Sequence, residues 1–258
     1  MVGKISLNDS RYKYHYKGFC SIINQIIDIA ILHNKLYGDY NINIEDNQIL
    51  SLFNVKTNNT SGETYDAGVR FLDEFFGGNI DNSNNAHTIP NQENLLVKNE
   101  TLNSILEIKP EIEPEFKRKI NELIGDEPFL GVQLRGTDKK KEIPETTNEK
   151  IIEGIDAALK ETNLKKIFLA TDDIKYVNLI VDTYGDEMVI INKDNIFSTD
   201  SIPIHITQKK HIININVLRD VYFLKHSSYI CYTYSNVGYL AMIMGIKNIK
   251  NFKVLNKL

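Results

Sequence analysis

The sequence predicts an α/β fold with a parallel sheet, and three observations carry that expectation. Beyond residue 129, apolar runs of strand length alternate with helix-length stretches, the rhythm of strand–helix–strand units. The runs at 129–134, 166–170 and 229–232 are rich in apolar and branched residues, as strands covered on both faces are. Each then breaks into small, hydroxylic or charged residues: Arg135 to Asp138, Thr171 to Asp173, and Thr233 to Asn236. Any one could be an ordinary polar turn. Together they suggest a binding edge, because ligands of open parallel sheets bind beyond the carboxyl ends of the strands.

Taken in order, residues 1–16 are polar and lack the apolar core of a signal peptide. From Gly18 the pattern turns helical, with Ile22, Ile23, Ile26, Ile27, Ala30 and Ile31 on one broad face and Ser21 as the expected N-cap. Gly18, just before it, lets a backbone approach the helix start, where anions bind, although an amphipathic core helix after a turn reads the same way. A short strand is expected at 40–44, completing one α/β unit. Residues 54–62 and 77–91, rich in Asn, Ser, Thr and Gly, read as loops around a helical segment at 65–76. Two prolines and alternating charge at 106–114 read as a crossover, which places a domain boundary between 109 and 110.

A short helix at 115–123, ended by Gly125, leads into the strand at 129. Helices follow at 148–162 and 174–184, with a strand at 188–191, a possible extended segment at 202–206, and part of another helix at 217–225. Ser235 or Asn236 can cap the last helix, leading through Val237 and Gly238. Arg135, at the end of the first of these strands, is a planar, permanently charged fork suited to two phosphate or carboxylate oxygens. Alone, that stretch reads better as a surface ion pair of Arg135 with Asp138.

The chain has 258 residues with 42% hydrophobic content, enough for one large domain or two small ones. A formal net charge of −4, from 30 basic and 34 acidic residues, gives no global attraction to nucleic acid or acidic membranes. Cys20 and Cys231 stand far apart in apolar surroundings and read as buried free thiols. No stretch approaches the roughly 20 apolar residues of a membrane span. The expectation is a cytoplasmic protein, or a soluble fragment of a longer one. His205 and His211 read as ordinary loop or helix residues, and the adjacent carboxylates Asp172 and Asp173 would point in different directions, which argues against a metal pair.

Taken as a set, these pieces resemble the GDP-fucose-dependent fucosyltransferases of the alpha-1,6 group (nodulation-factor and core N-glycan enzymes) and the related protein O-fucosyltransferases. Gly131-Val132-Gln133-Leu134-Arg135-Gly136-Thr137-Asp138-Lys139 is similar to the first motif of that group. Ile167-Phe168-Leu169-Ala170-Thr171-Asp172-Asp173 resembles the second, and residues 220–241 the third. The likeness covers roughly 109–245, in the right order.

The resemblance implies a fold of two Rossmann-like halves of GT-B type: 1–109 on the acceptor side and 110–258 holding the nucleotide sugar. It implies an inverting, metal-independent fucosyltransferase, with GDP-fucose as donor, a glycan or glycoconjugate as acceptor, and no cofactor. Arg135 would hold the diphosphate, Ser235, Asn236 and Val237 would complete its cradle with Thr233, and Asp220 would read guanine. Asp220 would otherwise be a carboxylate at a helix start. Gln133, Asp138, Thr171, Asp172, Asp173 and Gly18 join the expected site, the two adjacent aspartates equally as braces for loops. Glu142 and Glu145 are the expected bases, with the choice between them open.

Two departures stand out. Gln133 replaces the family's histidine, and Gly136 stands where the alpha-1,6 enzymes carry a second arginine. A transferase for another nucleotide sugar, or a non-catalytic nucleotide- or glycan-binding module, are the alternatives.

Overall fold

The computed structural model describes residues 3–6, 18–40, 42–44, 46–56, 63–66, 90–136, 146–195, 198 and 210–256. The chain divides into two units, Met1–Glu113 and Pro114–Leu258.

In the first unit, β1 (Gly3–Ser6) is the centre of a three-stranded parallel sheet, between β2 (Ile42–Ile44) and β4 (Glu63–Asp66). Helix α1 (Phe19–Tyr37) buries Ile22, Ile23, Ile26, Ile27 and Ala30 of the expected face and Ile29 beside them, while Ile31 is half-buried. The helix begins three residues earlier than expected. The Gly18 carbonyl accepts from the Ser21 and Ile22 amides, so Gly18 is the N-cap and Ser21 lies inside the helix, where its Oγ accepts from Gln25 Nε2. Gly38, at φ 78°, closes the other end.

After α2 (Asn47–Leu50), strands β3 (Phe53–Val55) and β5 (Leu106–Ile108) form an antiparallel ribbon. Asn54 and Val55 are therefore strand residues, not loop, and the supposed crossover at 106–114 opens with a strand. Helix α3 (Gln92–Ile105) starts at Asn91, whose side chain accepts from the Glu93 amide. Of the helix expected at 65–76, Tyr65 and Asp66 belong to β4 and the rest lies outside the described residues, as do 57–62, 77–89 and 201–206.

In the second unit, α4 (Glu113–Leu123) precedes a five-stranded sheet. Its elements run β6 (Leu130–Leu134), α5 (Asn148–Thr162), β7 (Ile167–Thr171), α6 (Ile174–Tyr184), β8 (Val189–Ile191), α7 (Lys210–Leu224), β9 (Tyr229–Tyr232), α8 (Asn236–Gly245) and β10 (Asn251–Val254). All pairings are parallel, in the spatial order β10-β9-β6-β7-β8. The period of two sorts the side chains. Leu130, Val132, Leu134, Leu169 and Cys231 pack with Ile151, Ile155 and Ala158 of α5 and Ile180 of α6. On the opposite face Phe168 meets Phe223 of α7 at 5.0 Å between ring centroids, and Gly131 leaves room for Leu224 and Ser227.

Both cysteines are buried free thiols, and burial pushes Cys231 up to about 12. Among the described residues no helix is long and apolar enough to cross a membrane.

This strand order fixes where a site can lie. From β6 the chain builds outward through β7 to β8, then returns to the other side of β6 to lay down β9 and β10. The direction of building reverses between β6 and β9, and at such a switch point the loops at the carboxyl ends part to leave a crevice.

Candidate functional site

The carboxyl ends of β6 and β9 are tied together by side chains where the strands stop pairing. The Arg135 amide donates to Thr233 Oγ1 at 3.0 Å, and the Thr233 amide donates to the Gln133 carbonyl at 2.9 Å. Ser235 Oγ donates to Gln133 Oε1 at 2.7 Å and accepts from the Gly238 amide at 3.1 Å, which makes Ser235 the N-cap of α8. Gln133 and Ser235 are both buried, so in this arrangement Gln133 supports the rim from within. Gly238 allows the close approach, since a Cβ there would come within 2.8 Å of Tyr232 Cδ2 and 3.2 Å of Gln133 Oε1.

The first turn of α8 carries no acidic residue, and Asn236 and Val237 are half-buried at its start. That end of the helix presents backbone donors and the positive end of its dipole. Arg135, also half-buried, adds a full positive charge to the same edge.

The end of β7 is occupied by bracing. Thr171 Oγ1 accepts from the Asp173 amide at 3.2 Å, and Asp172 Oδ1 accepts from the Gly136 amide at 3.0 Å. Asp173 Oδ1 caps α6 by accepting from the Lys175 amide at 2.9 Å. Ser198 joins this corner, its amide donating to the Asp172 carbonyl. The two adjacent carboxylates thus serve different elements. Among the described residues no three His, Cys, Asp or Glu side chains gather as a metal site. The corner also accounts for Gly136: a Cβ there would run into the Asp173 side chain, so no arginine fits while Asp173 caps α6.

Asp220 sits in the latter half of α7, not at a helix start as the alternative reading had it. Its carboxylate accepts from Asn192 Nδ2 at 3.2 Å and Asn195 Nδ2 at 2.7 Å, both from the turn after β8. Burial outweighs these bonds and raises its pKa to about 7. Beside it, buried Arg219 donates to Asp194 at 2.7 Å and Glu115 at 3.2 Å and lies over the Phe116 ring. Lys119 also pairs with Asp194 and holds that carboxyl below its ordinary range. Asn192, Asn195 and Arg219 escaped the sequence reading. The one signal for the two asparagines was the polar Asn-Lys-Asp-Asn run directly after β8, and Arg219 had none.

One edge therefore gathers Gln133, Arg135, Thr171, Asp172, Asp173, Thr233, Ser235, Asn236 and Val237. Asp220 is bound into the turn after β8. Gly18 belongs to the first unit, with open space beside its Cα. Asp138, Glu142, Glu145 and His205 lie outside the described residues, and His211 is exposed in the first turn of α7.

No family model and no curated protein matches the sequence. Solved structures do. NodZ alpha-1,6-fucosyltransferase soaked with GDP-fucose matches with a TM-score of 0.56 at 12% identity, over 94% of this chain and 92% of that one. A mutant of Arabidopsis thaliana FUT1 in complex with GDP matches with a TM-score of 0.51 at 12% identity, over 97% of this chain and 69% of that one. The chain shares the α/β fold of these two structures. A further structure, fucosyltransferase NodZ from Bradyrhizobium, aligns with 56% of this chain at a TM-score of 0.41 and 15% identity, and the chain spans only 44% of its length.

Proposed function

We propose that the chain is an inverting glycosyltransferase that moves fucose from GDP-fucose to a hydroxyl of a glycan acceptor without a metal ion. The observation that carries this reading is the placement of half-buried Arg135 at the switch point of the sheet, beside the start of α8. The likeness in fold to proteins holding GDP or GDP-fucose supports it. In this reading residues 110–258 hold the nucleotide sugar and residues 1–109 take the acceptor.

The acceptor oxygen attacks the anomeric carbon from the side opposite the phosphate. As that new C–O bond forms, the bond to the β-phosphate oxygen breaks, and GDP leaves with the electron pair. Negative charge grows on the departing phosphate, where Arg135 and the amides of Asn236 and Val237 act most strongly because they are already oriented. Thr233 and Ser235 shape this cradle, and Gln133 contributes through Ser235. The hydroxyl proton passes to a carboxylate of the lysine-rich loop, Glu142 or Glu145. Asp220 reads the guanine N–H groups with the carboxylate that Asn192 and Asn195 otherwise occupy.

The test is donor turnover with GDP-fucose, GDP-mannose and UDP-sugars, together with GDP binding by calorimetry. Arg135→Ala is expected to abolish transfer, a loss of at least about 100-fold, and to weaken GDP binding while leaving Tm close to that of the wild type. Normal transfer by that variant overturns the mechanism. Turnover of another donor in preference to GDP-fucose reassigns the sugar. GDP binding without any turnover makes the chain a nucleotide-binding module.

A further inference from the structure

The pairing of β6 ends at Gln133↔Tyr232 on one side and Leu134↔Thr171 on the other. The next two amides would ordinarily turn to water. Instead each is taken by a side chain from a different flanking strand end: Arg135 N by Thr233 Oγ1 and Gly136 N by Asp172 Oδ1, both at 3.0 Å. These amides belong to the two peptide planes that meet at the Arg135 Cα. Holding both planes fixes φ and ψ of that residue, and so the direction in which its side chain leaves the backbone.

Neither bond is needed to keep the strands paired. The Thr233 amide donates to the Gln133 carbonyl within the backbone, and β6 and β7 pair in register from Leu130 to Leu134 without help from Asp172. Both acceptors act where the ladder has ended, on either side of Arg135.

We propose that Thr233 and Asp172 are positioning residues for Arg135: together they clamp its backbone so that the guanidinium is already set against the leaving diphosphate before the donor arrives. The inference rests on the reading of Arg135 as the diphosphate partner. A donor group that needs no reorganisation contributes more to the transition state than one that must be ordered, and small misplacements of such a group are costly in rate.

The experiment measures GDP affinity by calorimetry and GDP-fucose turnover on the full chain. Thr233→Val keeps the shape and removes the acceptor, whereas Thr233→Ser keeps the acceptor. Thr233→Val is expected to lower kcat by roughly 10- to 100-fold with a smaller change in KM, and Thr233→Ser to restore most of it. Asp172→Ala, at a half-exposed site, is expected to lower kcat in the same direction, and it carries the test if Thr233→Val does not fold.

The deciding readout is the Arg135→Ala background, in which neither substitution should weaken GDP binding further if both act through Arg135. A loss in that background as large as in the wild type means direct contact with the ligand or a general structural role, and overturns the clamp. If Arg135→Ala behaves as expected while Thr233→Val and Asp172→Ala both match the wild type, the clamp alone falls. If the wild type binds no GDP, the reading of Arg135 falls and the clamp with it.

Discussion

Two polar clusters of the second unit use similar residues to opposite ends. Around Arg219, the guanidinium is buried and shared among Asp194, Glu115, Asn192 and Asn216. Around Arg135, Thr233 and Asp172 accept from backbone amides, and Arg135 is half-buried at the edge of the sheet. Charge enclosed by its partners joins elements: here it ties α4, the turn after β8, and α7. Around Arg135 it is the backbone at a strand end that is braced, not the charge that is shared between elements. Burial and the destination of the neighbouring hydrogen bonds separate the two arginines more sharply than residue type does.

Substitutions can break this contrast. Removing the enclosed arginine should have the largest effect on stability: Arg219→Ala is expected to cost about 2–4 kcal/mol in denaturant unfolding, moderated because Asp194 and Glu115 are half-exposed and can take up water. An Arg219→Ala protein as stable as the wild type would place the two clusters in one class.

Asp220→Asn gives a smaller effect that depends on pH. The folded carboxyl titrates near 7, above its ordinary value, so the folded state binds the proton more tightly than the unfolded chain does. Its contribution to stability is complete below about pH 4 and is lost as pH rises toward 7. Asp220→Asn should flatten that part of the stability profile, measured by urea unfolding from pH 4 to 8, whereas an unchanged slope would show that Asp220 does not titrate there. The smallest effect is expected at the rim, where Ser235→Ala removes one helix cap at a cost of about 1 kcal/mol. The same variant sharpens the contrast if GDP affinity falls by more than that cost explains.

The sequence made the strongly periodic parts legible. Helices α5 and α6 and strand β9 lie on the residues expected of them, because each couples a clear apolar pattern to a defined start: Thr147 and Asp173 as caps, and the apolar run from Tyr229. The three polar strand ends also fell on one edge, which follows from parallel pairing alone. What escaped was made by contacts between distant residues. β3 and β5 are three-residue strands that gain their structure from each other, and β10 is a short strand with mixed exposure. Helix α3 buries Lys98, Asn99 and Thr101, residues that read as surface. The grip of Asn192 and Asn195 on Asp220 spans 28 and 25 residues, and asparagines after a strand look like any turn. Gln133 was legible as the last residues of a strand are, but its partner Ser235 lies 102 residues away, and only the fold places the two together under the rim.

The return of the chain to the far side of β6 has a consequence for how the rim comes into being. Arg135 and Thr233 are 98 residues apart, so one side of this strand edge is synthesised long before the other. At about 5–20 residues per second, β6 waits on the order of 5–20 s with one edge open, able to pair with β7 but not with β9. During that interval its exposed flank is a candidate for mispairing or chaperone capture, and a nascent chain arrested before Tyr229 would carry the arginine without its threonine.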